Sequence, residues 1–143
     1  MRVQDFVKKN VSTVKGDASI QEVARKMADE DIGFLPVVDQ SGKPVGTVTD
    51  RDIVVRLIAK GSDVRNARVE QVMTKNVVSV RPDENIDRVA DLMKERKVSR
   101  VLICDQGGKP VGVISLGDLA ERTDEQDVGR TVKEVKEGTT LTH

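Results

Sequence analysis

Tryptophan and tyrosine are absent from the 143 residues, and the only phenylalanines are Phe6 and Phe34. The stacking platforms that hold single-stranded nucleic acid have almost nothing to be built from. An excess of one charge is missing too. Twenty-four Lys and Arg balance 24 Asp and Glu, so no overall basic field attracts a polyanion. No nucleic acid is expected as a partner. No run approaches the roughly 18 apolar residues that span a bilayer, and the opening MRVQDFVKKN lacks the apolar stretch of a signal peptide. No membrane partner and a cytoplasmic location are expected.

Cysteine and histidine are nearly absent as well: Cys104 and His143 are the only ones. A single cysteine excludes an internal disulfide, and the two residues are too few for a zinc shell. With the only histidine at the last position, Ser-His-Asp and Cys-His arrangements lack their base. Cys104 closes the apolar run Arg100–Cys104 and reads as a buried strand residue, not a nucleophile. The expectation is a chain that is not an enzyme, with no catalytic residue, no metal and no obligatory cofactor.

Apolar residues suited to strands are abundant. Hydrophobic residues make up 37 %, and 25 Val and 7 Ile stand against 7 Leu, a β-branched bias. The chain is also internally repeated. Sliding it by 66 residues aligns 3–56 on 69–122 without a gap, with 19 identities over 54 positions. A unit of this size buries little surface alone, so two copies should share apolar faces.

Each copy reads as β-α-β-β-α. Val11–Val14 and Val77–Val80 are short strand starts. Ser19-x-x-Glu22 is a capping box, and Asn85 is the N-cap of the second copy. Behind them Ile20, Val23, Ala24 and Met27 recur at helical spacing, as do Ile86, Val89, Ala90 and Met93. Strand runs Phe34–Val38 and Pro44–Thr49 flank a turn, as do Arg100–Cys104 and Pro110–Ser115. A second helix follows over Asp50–Lys60, and over Leu116–Arg122. The polar stretch Gly61–Arg68 is the linker. Val128, Val132 and Val135 suggest a final amphipathic helix, whose apolar face needs a partner surface.

Thr49-x-x-Asp52 and Ser115-x-x-Asp118 each sit where a strand becomes a helix. A hydroxyl followed three residues later by a carboxylate is a capping box in form. The same helix start offers backbone N–H groups and the positive dipole end to an anion. There the aspartate suits vicinal ribose hydroxyls, because it would repel phosphate. Asp50 and Asp52, two apart on a helix, point to different faces and do not form a catalytic pair.

The segments Ile32–Asp39 with Gly46–Val54, and Val98–Asp105 with Gly112–Leu119, resemble the CBS domain. The whole chain over about residues 1–122 resembles a stand-alone tandem CBS pair, or Bateman module. The resemblance implies an α/β (α+β) fold of two units related by a pseudo-two-fold, with small sheets packed with helices on one face. Domains are expected over 1–62 and 63–123, with a helix and tail over 124–143. It implies a regulatory sensor of an adenosine nucleotide or S-adenosylmethionine, bound in the cleft between the units. Carried over, Ser115 and Asp118 would work with Val11, Ser12, Ile32 and Gly33. Thr49 and Asp52 would work with Val77, Val78, Val98 and Ser99. Arg100, in the place of Phe34, stands where a basic residue meets phosphate in some members of the family, and Arg51, in the place of Gly117, adds to the inequality of the two sites. The resemblance also implies a homodimer stacked through helices, and an unidentified target protein. The competing reading is a ligand-free structural pair that dimerises or docks on a partner protein. An enzyme fragment, as in IMP dehydrogenase, would need a catalytic barrel that 143 residues do not hold.

Overall fold

The computed structural model describes residues 1–6, 11–121 and Val135. The first repeat carries β1 (Val14–Lys15), α1 (Ile20–Glu30), β2 (Phe34–Val38), β3 (Pro44–Thr49) and α2 (Asp50–Ile53). A π-helical stretch, Val54–Ile58, continues α2. The second repeat carries β4 (Ser79–Val80), α3 (Ile86–Arg96), β5 (Arg100–Cys104), β6 (Pro110–Ser115) and α4 (Leu116–Ala120). The expected β-α-β-β-α order holds in both. The opening strands are shorter than expected, two residues each, and the helix expected over Asp50–Lys60 is regular only to Ile53. Arg122 lies outside the described residues.

Each repeat forms one three-stranded sheet, ordered β1-β2-β3 and β4-β5-β6. β1 runs parallel to β2 with Val14 opposite Val37, and α1 supplies the crossover such a pair requires. β2 and β3 are antiparallel, with Phe34 opposite Thr49. β4 runs parallel to β5, with Ser79 opposite Leu102. Both crossover helices start at the expected N-caps, although the return half of the Ser19–Glu22 box does not form. The Ser19 side chain accepts from the Glu22 N–H at 3.1 Å, and Asn85 accepts from the Asp87 N–H at 2.9 Å. α1 buries Ile20, Val23 and Met27, so only its i, i+3 and i+7 positions are covered and Ala24 is exposed. α3 buries Ile86, Val89, Leu92 and Met93, with Ala90 half-buried.

The turn between β2 and β3 is organised by Asp39. Its Oδ1 accepts from the Ser41 N–H at 2.9 Å, the Ser41 hydroxyl at 2.7 Å and the Lys43 N–H at 3.1 Å. Gly42 has φ 87°, a left-handed conformation that glycine adopts without strain. The Ser41 hydroxyl, followed by the Lys43 N–H, holds the Asp39 carboxyl below its ordinary value of 3.8. A carboxyl lowered in the folded state stabilises the turn above its unfolded value, and this is lost as pH falls through the folded value. NMR titration should therefore give Asp39 a midpoint below 3.8, and Ser41→Ala should raise it. A midpoint unmoved by Ser41→Ala would show that the hydroxyl contributes nothing.

The cores cross the repeat boundary. Val3 and Phe6, which open the first repeat, are buried with Val80, Ile86, Val89, Met93, Val101, Ile103 and Ile114 of the second. Val69 and Val72, their equivalents by the 66-residue shift, are buried with Val14, Ile20, Val23, Leu35, Val37 and Val48 of the first. Each repeat thus fills the other's core with its own opening segment. Hydrogen bonds fix the exchange: the Val3 N–H donates to the Glu84 carbonyl at 2.9 Å, and the Val69 N–H to the Ala18 carbonyl at 2.9 Å.

Two compact units result. One holds Ser12–Val77 with Gly108–Pro110; the other holds 1–6, Val11, Val78–Gly107, 111–121 and Val135. The physical reason is the exchange, because 63–77 carries side chains that only the first core buries. Val128 and Val132 lie outside the described residues. Val135 is buried in the second core, so it offers no face to a partner.

Candidate ligand site

The two Thr/Ser-x-x-Asp motifs stand at the ends of β3 and β6. Thr49 and Ser115 keep extended backbone, at φ −117°, ψ 162° and φ −96°, ψ 163°, and the helix begins at the next residue. Both motifs close as reciprocal capping boxes. Thr49 Oγ1 accepts from the Asp52 N–H at 3.1 Å, while Asp52 Oδ2 accepts from the Thr49 N–H at 2.9 Å. Ser115 and Asp118 reproduce the pair at the same two distances. All four residues are half-buried.

The N–H groups expected to be open to an anion are in use at the first motif. The Asp50 N–H donates to the Gly33 carbonyl at 3.0 Å, and the Arg51 N–H to Asp50 Oδ1 at 2.8 Å. With the Asp52 N–H on Thr49, the first three donors of α2 are satisfied locally. At the second motif the Leu116 N–H donates to the Ser99 carbonyl at 2.8 Å. Leu116 has no side-chain acceptor where Asp50 supplies one, so the two motifs differ in local charge.

Within one unit the structure brings Gly33, which follows Ile32, against Asp50. A Cβ on Gly33 would lie 2.9 Å from Asp50 Oδ2, a close approach that glycine permits. Within the other it brings Ser99, flanked by Val98 and Arg100, against Leu116 through their backbone bond. Ser12 and Val77 belong to the unit of Asp52; Val11 and Val78 belong to that of Asp118. These six flanking residues other than the arginine, with Ile32 and Gly33, are half-buried, whereas Arg51 and Arg100 are exposed. The Ser12 hydroxyl donates to Glu30 Oε1, and the Val78 carbonyl accepts from the Leu102 N–H at 2.9 Å.

Cys104 is buried, and burial pushes its thiol up against the opposing effect of the Ser79 hydroxyl. A raised thiol is a poor nucleophile. Among the described residues no cluster of His, Cys, Asp and Glu is placed to hold a metal ion, and no helix is long and apolar enough to cross a membrane.

One residue beside the first motif escaped the sequence reading. Arg56 places Nε 3.6 Å from Asp52 Oδ1, while its Nη1 donates to the Val72 and Met73 carbonyls at 3.3 and 3.4 Å. The available signal was its place four residues after the aspartate, and its identity with Arg122 under the repeat shift.

A family model for the CBS domain matches residues 3–59 and again 69–125. The chain is 38 % identical over 118 residues to the CBS domain-containing protein YhcV of Bacillus subtilis (strain 168), covering 82 % of each protein. Some relatives are far longer. It is 33 % identical to the homoserine O-acetyltransferase of Methanohalobium evestigatum but spans only 24 % of that protein's length. Among solved structures it is similar to Hypoxic Response Protein I with two coordinated zinc ions, at TM-score 0.75 and 26 % identity, covering 86 % of this chain and 99 % of that one. It is similar also to the CBS domain pair of protein MJ0100 in complex with 5-methylthioadenosine and S-adenosyl-L-methionine. That match has TM-score 0.74 and 31 % identity, and covers 85 % and 94 % of the two chains.

Proposed function

Because this chain belongs to the CBS domain family, we propose that it is a non-enzymatic regulatory module binding an adenosine compound. The ligands proposed are AMP, ADP, ATP and S-adenosylmethionine, and a target protein would receive the signal. The observation that carries the reading is the duplicated half-buried capping box. A carboxylate offers about four lone-pair sites, and at the first motif the cap engages Asp52 through Oδ2 alone. A vicinal diol can therefore be accepted without dismantling the helix start. The Thr49 and Ser115 hydroxyls accept within the cap, and the O–H proton is a chemically separate function that suits a phosphate or sugar oxygen. The similar MJ0100 pair, in complex with two adenosine-containing compounds, supports the ligand class.

A second reading has its own observation: the caps already account for the motif, so the pair would be structural and need no ligand. One experiment separates them. With neither Trp nor Tyr, the protein absorbs almost nothing at 280 nm, so a co-purified adenosine compound would dominate the spectrum near 260 nm. If it purifies empty, a ligand at 100 times Kd stabilises the fold by about 2.7 kcal/mol and should raise Tm by several degrees. At least one of the four compounds should do so. A clean spectrum with no shift from any of them at millimolar concentration transfers the conclusion to the structural pair.

Two copies of the chain are also proposed to associate, through Val54, Val55 and Ile58. These side chains are 53 %, 45 % and 53 % exposed on the π-helical stretch, an apolar surface a second copy can cover. Light scattering at high micromolar concentration should give twice 15.7 kDa. A monomer mass removes this part of the proposal. The single buried thiol, Cys104, supports a reducing, cytoplasmic setting.

A further inference from the structure

We propose that Arg56 is the positioning residue of the first motif, holding the Asp52 carboxylate for a vicinal diol and tying it to residues 72–74. The inference rests on the ribose-binding reading above. Its observations form a closed circuit within one unit. The Thr49 N–H fixes Asp52 Oδ2 at 2.9 Å, and Arg56 Nε lies 3.6 Å from Oδ1 on the other side. Arg56 Nη1 then reaches the Val72 and Met73 carbonyls. The next residue, Thr74, exchanges both backbone hydrogen bonds with Thr47 at 2.8 Å, two residues before Thr49.

Arginine suits this place because its rigid, planar fork carries five donors that face several acceptors at once. The backbone is adapted as well. Arg56 lies inside the π-helical stretch, where the Ala59 N–H donates to the Val54 carbonyl at 2.8 Å. Single π turns recur at functional sites, since they redirect side chains at a cost in regular hydrogen bonding. A purely stabilising role explains the arrangement poorly. The Arg56 side chain is 46 % exposed, and an exposed ion pair four residues apart contributes little to stability. Orientation is the larger effect. With Oδ2 committed to the cap, the Arg56 contact fixes the direction in which the remaining oxygen meets two adjacent hydroxyls.

The test is calorimetric titration of the full chain with AMP and with 2′-deoxy-AMP, in an Asp118→Asn background so that the heat reports on the first motif. Before further change, AMP should bind about tenfold more tightly than its deoxy analogue, the worth of one hydrogen bond to a charged acceptor. Arg56→Gln should reduce that preference to about threefold or less. Arg56→Lys should restore part of it, because the charge beside Oδ1 returns without the fork. A merely structural arginine would weaken both nucleotides equally, and an unchanged ratio overturns the inference. If the Asp118→Asn chain binds neither nucleotide while the parent binds AMP, the first motif is no site and the inference falls alone. If the parent also binds neither, the ribose reading falls with it.

Discussion

Phe6→Ala should destabilise the protein by about 3–5 kcal/mol, as expected for removing a buried ring from a packed core, and the damage should appear in the second repeat. Phe6 is 6 % exposed, among Val80, Ile86, Val89, Met93 and Ile103, although its own place in the sequence is at the start of the first repeat. Hydrogen exchange should rise first in α3 and β5, while α1 and β2 keep their protection. Val69→Ala is the reciprocal experiment. Val69 is fully buried against Ile20, Val23 and Leu35, so losing two methyl groups should cost about 2 kcal/mol and loosen α1 and β2 first. If Phe6→Ala leaves too little folded protein, Phe6→Leu keeps most of the volume and tests the same pattern. Faster exchange in α1 and β2 on changing Phe6 would contradict the exchange of segments.

That exchange marks the limit of what the sequence makes legible. The runs 34–38, 44–49, 100–104 and 110–115 form strands over the expected bounds, because apolar runs flanking an Asp-Gly turn are a local signal. Ser19 and Asn85 cap as expected, because capping depends on neighbours three residues away or fewer. The destination of Val3 and Val69 is a tertiary question. Both residues are valines at equivalent repeat positions, and either core accepts either residue by size. Periodicity cannot say which copy buries them.

The candidate site divides the same way. The hydroxyl and carboxylate of each motif are visible at a spacing of three, and they meet in the structure as a capping box. The expected donors for an anion are not available at the first motif. Asp50 folds its own carboxylate onto the Arg51 N–H, a contact that pattern reading treats only as a rejected catalytic pair. Arg56 depends on the π-helical stretch and on the return of 72–74 to β3, and neither feature has a local signature.

Asp52→Ala should weaken binding of an adenosine ligand by about 10- to 100-fold, the equivalent of roughly 1.5–3 kcal/mol for a hydrogen-bonding charged group. Asp118→Ala should do the same at its own motif. Each should also lower stability by up to about 1 kcal/mol, because the Thr49 or Ser115 N–H loses its acceptor. Asp52→Asn separates the two effects. Its amide oxygen can still accept from the Thr49 N–H, so the melting temperature should stay close to that of the parent. The diol meanwhile loses a charged acceptor, so affinity should fall even though the cap is kept. If Asp52→Ala and Asp118→Ala melt earlier but bind AMP and ATP as the parent does, both motifs are caps alone. If Asp52→Asn loses as much stability as Asp52→Ala, the charge itself holds the helix start.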